Sequence, residues 1–170
     1  MTFMRPLFLC VALAAAALLA DRAAGVAAAP PHRDAPAPAF TLPLADGAGS
    51  LSLASLKGHP VYLNYFASWC PPCNAEAPSL SKLAVRYAKK GLVVVGIDEL
   101  ESAKQALGFK NKYHLPYRVV LDADGSVGAA YGVYALPVHV FIRRDGKVAS
   151  YHPGEMDAAQ IGAELAKITE

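Results

Sequence analysis

The hydrophobic pattern divides the chain into three parts. From Leu7 to Ala20 every residue is apolar, Arg5 precedes the run, Asp21 and Arg22 close it, and small residues follow through Ala29. Residues 30–39 (PPHRDAPAPA) have no apolar period and are dominated by Pro and Ala, which predicts an extended tether. From Phe40 onward the pattern is that of a folded domain. Phe40 to Leu44, a turn at Asp46-Gly47 and Leu51 to Leu56 predict a short hairpin followed by a helical turn that ends at Gly58. Val61 to Ala67 (VYLNYFA) is β-branched and aromatic enough for a buried strand.

Pro71 and Pro72 suit the first turn of a helix, where a missing N–H costs little, and Leu80, Leu83, Ala84 and Tyr87 recur at helical spacing until Gly91. Leu92 to Ile97 predicts a fully apolar strand, Ser102 to Tyr113 a helix, Tyr117 to Leu121 a strand and Ser126 to Tyr131 a short helix. Val138 to Ile142 and Lys147 to Tyr151, joined at Asp145-Gly146, predict a hairpin, and Ala158 to Ile168 an amphipathic closing helix. Strands alternating with helices imply parallel pairing, and the final hairpin adds an antiparallel edge. The fold class is therefore α/β, a mixed central β-sheet flanked by helices with an added N-terminal β-hairpin.

Composition modifies this picture at the N-terminus. The chain has 170 residues, 54% hydrophobic, with a mean hydropathy of +0.27, but the first segment supplies much of that excess. Its 14-residue run is shorter than the about 20 residues that cross a bilayer, and it fits a secretory signal with small residues around Gly25-Val26-Ala27 or Val26-Ala27-Ala28. Removal as a signal and retention as a single membrane anchor both remain open, and either exports the domain. Processing at Cys10 as a lipoprotein is disfavoured by the bulky Leu9 and the short leader. The expected organisation is a signal peptide or anchor over 1–29, a tether over 30–39 and one domain over 40–170.

Charge excludes some partners. Lys plus Arg number 16 and Asp plus Glu 14, with no clustered basic surface, so nothing calls for nucleic acid. Residues 1–29 hold Arg5, Arg22 and Asp21, so the remainder carries 14 basic and 13 acidic groups. The expected solution state is a monomer. Cys10 also falls in the leader, leaving one pair, Cys70 and Cys73, in an oxidising compartment.

That pair is where the chemistry concentrates. Trp69-Cys70-Pro71-Pro72-Cys73 lies between a predicted strand and a predicted helix, and a helix N-terminus stabilises a thiolate through its dipole and free amides. Two intervening residues bring both sulfurs onto the first turn, where Pro71 and Pro72 shape a small, exchangeable disulfide. Cys70 is expected to be the exposed nucleophile and Cys73 the shielded resolving thiol. A zinc site would need two further ligands, and His114, His139 and His152 are scattered. A purely structural disulfide is disfavoured because so short a loop is a poor staple.

Glu76 falls on the helical stripe of Cys73, Leu80, Leu83 and Tyr87. Buried there it would exchange protons with Cys73; partly exposed, it would merely complement the helix dipole. Pro78 should kink the helix. Pro137, directly before an apolar strand, is either cis, which would set the Leu136 backbone beside the cysteines for an extended substrate, or an ordinary strand-entry proline. His139, two positions later, either approaches the site and tunes the thiolate or is a core histidine bonded to a neighbour. Trp69 either shields the motif and contacts partners or simply packs, and Tyr131 and Tyr134 read as structural.

The segment FTLPLADGAGSLSLASLKGHPVYLNYFASWCPPCNAEAPSL and the later AYGVYALPVHVFIRRDGKV resemble the TlpA-like branch of thioredoxin-fold proteins, which includes the periplasmic ResA and CcmG (DsbE) types of cytochrome c maturation. The resemblance runs from Phe40 to the C-terminus and rests on WCPPC, Glu76, Pro78 and the Gly-Val-x-x-x-Pro of Gly132 to Pro137. It implies a thioredoxin fold, Cys70 as nucleophile, Cys73 as resolving cysteine, Glu76 as active-site acid and Pro137 as cis-proline. It further implies a thiol-disulfide oxidoreductase with no cofactor beyond its own disulfide and no metal, acting on client proteins with cysteine pairs such as apocytochrome c. A membrane thiol reductase of the DsbD or CcdA kind would recharge it. Two departures stand out: Asn64 occupies the place of the buried Asp of general thioredoxins and cannot accept a proton, and Val138 and His139 stand where relatives carry small hydroxyl residues.

Three other functions compete. An oxidant on this fold carries a large helical insertion before the cis-proline, whereas the roughly 40 residues between Ile97 and Pro137 predict one full helix, which favours a reductant by analogy. A copper metallochaperone would use both cysteines with His139 or His114, but such carriers space their cysteines by three residues rather than two. A peroxidase needs a Thr shortly before the cysteine, which Phe66 to Trp69 lacks.

Overall fold

The computed structural model describes residues 29–170, so the leader, with Cys10 and both expected cleavage positions, lies outside the described residues. Seven strands and four helices follow: β1 (Thr41–Pro43), β2 (Ser50–Ser52), a 3-10 turn (Leu53–Leu56), β3 (Val61–Phe66), α1 (Pro71–Ala88), β4 (Val93–Glu99), α2 (Ala103–Lys112), β5 (Arg118–Asp122), α3 (Ser126–Ala130), β6 (Val138–Ile142), β7 (Val148–Pro153) and α4 (Ala158–Thr169). None of the described helices is long and apolar enough to cross a membrane.

The main sheet has the order β5-β4-β3-β6-β7, with β3, β4 and β5 parallel and β6 and β7 antiparallel. Alternation along β3 separates two cores. Tyr62 and Phe66 face one layer with Ala77, Leu80 and Ala84 of α1, Phe109 of α2 and Ile161 and Leu165 of α4. Leu63 and Tyr65 face the other with Leu42, Leu51, Leu56 and Tyr131. A strand covered on both faces is built mainly of apolar residues, and Val61 to Phe66 are all buried, the polar Asn64 among them.

The hairpin forms as expected, and Ala45 continues past it to donate to the Val119 carbonyl at 2.9 Å on the outer edge of β5. The opposite edge is covered too. Asp34 N–H bonds the Val148 carbonyl at 2.8 Å, Val148 N–H the Ala35 carbonyl at 2.9 Å and Ala37 N–H the Gly146 carbonyl at 3.1 Å, while Arg143 pairs with Asp34 at 2.8 Å. Residues 34–37 are thus docked on the β7 edge, entered through a turn in which Asp34 takes φ 70°, because two of the non-proline amides find edge carbonyls there.

The second difference is at β4. It runs two residues beyond the apolar stretch, to Asp98 and Glu99, which pair with Leu121 and Asp122 of β5 and are both buried. The acids belong to the sheet and sit at its carboxyl end, beside the start of α1.

Candidate active site

β3 delivers the chain to α1 at that same end, and Cys70 is the residue that caps the helix. Positions one and two of α1 are Pro71 and Pro72, which have no N–H, so Cys73 supplies the first available amide of the helix. That amide points at Cys70 Sγ at 3.3 Å. Cys70 and Cys73 are joined in a disulfide with their Cα atoms 5.3 Å apart. On reduction, a thiolate at Cys70 would meet the positive end of an 18-residue helix and one aimed N–H, and both favour charge on this sulfur.

The loop before the disulfide is clasped from two sides. Glu101 accepts the Ser68 N–H at 2.5 Å and the Ser68 hydroxyl at 2.7 Å, and also the Gln105 amide at 2.8 Å. Asn74 gives its amide hydrogens to the Ser68 and Cys70 carbonyls at 2.9 and 2.8 Å, and its own oxygen is held by Tyr113 and Lys112. In this disulfide form Cys70 is 2% exposed and Cys73 3%, so the expected open nucleophile is as covered as its partner. Both sulfurs are folded into the apolar layer with Phe66, Ala77 and Met156. Of the motif, Trp69 stands out, 67% exposed, and Pro71 is exposed beside it.

Glu76, one turn after Cys73, is buried, as the inward-stripe alternative required. Its Oε1 accepts the Met156 N–H at 2.6 Å and lies 3.5 Å from His139 Nε2, while Oε2 has no partner. His139 is fully buried between Tyr62, whose hydroxyl is 2.7 Å from Nδ1, and the Gly154 carbonyl, 3.1 Å from Nε2. His139 is thus a core histidine bonded to its neighbours, as one of its two expectations had it, and it borders Glu76. Burial foremost, then the neighbouring Tyr117 and Glu76, holds the Tyr62 phenol well above its ordinary range, so this hydroxyl keeps its proton. It can therefore donate to Nδ1, and Nε2, which faces only acceptors, carries a hydrogen.

The Leu136-Pro137 peptide is cis, which selects one of the two alternatives for Pro137, and Leu136 packs against both cores. Gly154 N–H bonds the Pro137 carbonyl at 2.8 Å, so the histidine's partner residue also braces the proline. Asn64 is buried on β3 directly opposite His139 in the β3–β6 register, with no partner for its side-chain nitrogen. His114 is exposed just after α2, and among the described residues no three His, Cys, Asp or Glu side chains converge to hold a metal.

The acids of β4 complete the surroundings. Asp98 is fully buried with no donor on either oxygen, and its polar neighbour is the carboxyl of Glu101. A bond between two carboxyls needs a proton. Glu101 already accepts three hydrogen bonds, so the proton belongs to Asp98, whose carboxyl is pushed up to about 8 by burial first and by Glu101 second. Glu99 is likewise raised to about 8 by burial and by Asp122, which accepts the Val127 and Gly128 amides of α3. The sequence reading missed Tyr62, Met156, Gly154, Asp98, Glu101 and Ser68. Tyr62 was within reach of it, since a period of two puts it on the same face as Asn64; the others become neighbours only through the fold.

This sequence and fold have relatives among known proteins. The Redoxin family model matches residues 33–165. A thiol-disulfide oxidoreductase ResA of Bacillus thuringiensis (strain Al Hakam) is 35% identical over 119 residues, 70% of this chain and 69% of that protein. A thiol:disulfide interchange protein DsbE of Pseudomonas fluorescens biotype C is 37% identical over 132 residues, 77% of this chain and 72% of that one. Among solved structures, a secreted Mycobacterium tuberculosis disulfide oxidoreductase, described as homologous to E. coli DsbE, matches with a TM-score of 0.70 at 34% identity and covers 75% of this chain and 95% of its own. A thiol:disulfide interchange protein of the thioredoxin family from Chlorobium tepidum TLS matches with a TM-score of 0.72 at 28% identity, over 84% of this chain and 99% of its own. The chain belongs to the Redoxin family, and within it to the thioredoxin-fold thiol-disulfide oxidoreductases of the ResA and DsbE type.

Proposed function

We propose that this oxidoreductase is exported and reduces cysteine pairs in client proteins such as apocytochrome c. The observation that carries the reading is the Cys70–Cys73 disulfide closed on the first turn of α1 with the Cys73 amide aimed at Cys70 Sγ. In the reduced protein, the Cys70 thiolate attacks one sulfur of a client disulfide, and the other client sulfur leaves as a thiolate and takes up a proton. Cys73 then loses its proton to Glu76 and attacks Cys70 Sγ. The Cys70–client bond breaks, the second client sulfur leaves and is protonated, and the Cys70–Cys73 bond forms. Two electrons have passed from the protein to the client. A membrane thiol reductase of the DsbD or CcdA type returns them.

Trp69 is the contact for the client, and the backbone at Leu136 and the cis-Pro137 pairs with an extended client segment. Pro71 and Pro72 tune the pair by leaving Cys73 as the first amide donor. The reductive direction is supported by the segment between β4 and β6, which contains α2, β5 and the five-residue α3 and no helical insertion. Export is supported by the N-terminal apolar run, and the M. tuberculosis relative is described as secreted. Equilibration with glutathione buffers tests the direction. A reductant gives a potential more negative than about −200 mV, whereas a value near about −120 mV, typical of a dedicated oxidant, overturns it.

A further inference from the structure

The histidine on β6 is placed in a way the exchange chemistry does not by itself require. Four elements meet at it: Tyr62 from β3, Glu76 from α1, the Gly154 carbonyl after β7, and β6 itself. Its ring is fully buried, stacked at 8° to Tyr62, and the hydrogen on Nε2 faces two acceptors. The nearer is the Gly154 carbonyl at 3.1 Å and the farther is Glu76 Oε1 at 3.5 Å. Met156 N–H holds the same Oε1 from the start of α4. One oxygen of the carboxyl is therefore bonded by Met156 and bordered by His139 Nε2, while the other is buried without a partner. A buried carboxyl oxygen left unpaired costs free energy, and a site that keeps one open keeps it for another occupant.

We propose that His139 is a positioning residue for thiol exchange. Locked in its Nε2–H form by Tyr62, it fixes Oε1 of Glu76 so that Oε2 is presented to the Cys73 sulfur one turn earlier on α1. The inference rests on the reading of Glu76 as the acid that takes the Cys73 proton. Without the grip the carboxyl keeps its place on the helix but loses its orientation, and the resolving step slows because the proton acceptor is no longer held in line. Tyr62 acts one step farther out. Its hydroxyl occupies Nδ1, so the ring cannot turn its hydrogen away from Glu76.

The test is a double-mutant cycle on the resolving step, with oxidised glutathione as the disulfide. The reduced protein is mixed with it, and decay of the Cys70–glutathione mixed disulfide is followed by acid quench and intact mass. Glu76→Gln is expected to slow this decay by about a hundredfold, the ordinary range for loss of a general acid or base. His139→Leu is expected to slow it by about tenfold, and the double variant to be no slower than Glu76→Gln alone. His139→Gln, whose amide reaches close to the Nε2 position with an N–H, is expected to restore the rate to within about threefold. A purely structural histidine would give no such rescue and no loss of its effect in the Glu76→Gln background.

The outcomes separate the two claims. If Glu76→Gln decays at the wild-type rate, the reading of Glu76 fails and His139 has nothing to position. If Glu76→Gln is slow while His139→Leu matches wild type, or slows the double variant further in proportion, the role of His139 is overturned and that of Glu76 stands. Failure of the Gln variant to restore the rate also overturns it. Should His139→Leu not fold, Tyr62→Phe takes its place in the cycle, with a smaller slowing expected that again vanishes beside Glu76→Gln.

Discussion

Replacing Asp98 by Asn tests the shared proton at the end of β4. Asp98 is fully buried beside Glu101, its carboxyl raised from 3.8 to about 8, with burial the leading cause. Between those two values the folded protein holds a proton that the unfolded chain has released. The folded state binds more protons there, so stability is full at low pH, falls as pH rises and levels off above the folded value. The slope from one such group is at most about 1.4 kcal/mol per pH unit, which is at most about 3 kcal/mol between about pH 5 and about pH 7. Asn keeps the shape, and its amide hydrogen replaces the shared proton toward Glu101, but it does not titrate. Guanidinium unfolding of the disulfide form across this range should therefore give a flatter pH curve for Asp98→Asn, with the variant the more stable protein at pH 8. Parallel curves would refute the shared proton and place Asp98 in contact with water or a donor.

Other predictions follow from individual contacts. A Cβ at Gly128 would lie 2.5 Å from Glu99 Oε1, and the Gly128 amide is pinned to Asp122 at 2.6 Å, so Gly128→Ala should cost about 1–3 kcal/mol in the same unfolding assay; no cost would mean that Glu99 swings freely. Glu101→Ala frees the Ser68 amide from its 2.5 Å bond and should speed its hydrogen exchange about tenfold or more, whereas unchanged protection would show that Asn74 alone holds the loop. Trp69→Ala should weaken reaction with a protein disulfide by at least about fivefold while leaving the rate with oxidised glutathione within about twofold, and equal losses on both would remove its role as a client contact.

The parts of this molecule that could be read from the sequence are those set by local period and local chemistry. Val61 to Phe66 declared itself as a buried strand because both faces of a central strand need apolar residues, and Pro71-Pro72 declared a helix start because only there is a missing N–H harmless. Glu76 was singled out by its place on an apolar stripe. What stayed hidden depends on partners far apart in the chain. Tyr62 and His139 are 77 residues apart and Glu76 and Met156 80, and no local pattern marks such pairs. Asp98 and Glu99 were read as lying outside the strand because charge ends a hydrophobic run, yet a carboxyl that carries a proton can remain inside the sheet. Residues 30–39 read as an extended tether because Pro and Ala give no period; the docking of 34–37 depends on backbone amides, which composition does not record.

The central claim, that Cys70 attacks and Cys73 resolves, is tested most directly by trapping. Cys73→Ala and Cys70→Ala are each reduced, mixed with a protein carrying one accessible disulfide, and examined by intact mass after acid quench. The account predicts a lasting one-to-one covalent adduct with Cys73→Ala, released by added thiol, and none with Cys70→Ala. Adducts formed through Cys73 in the Cys70→Ala protein, or no adduct in either, would contradict it.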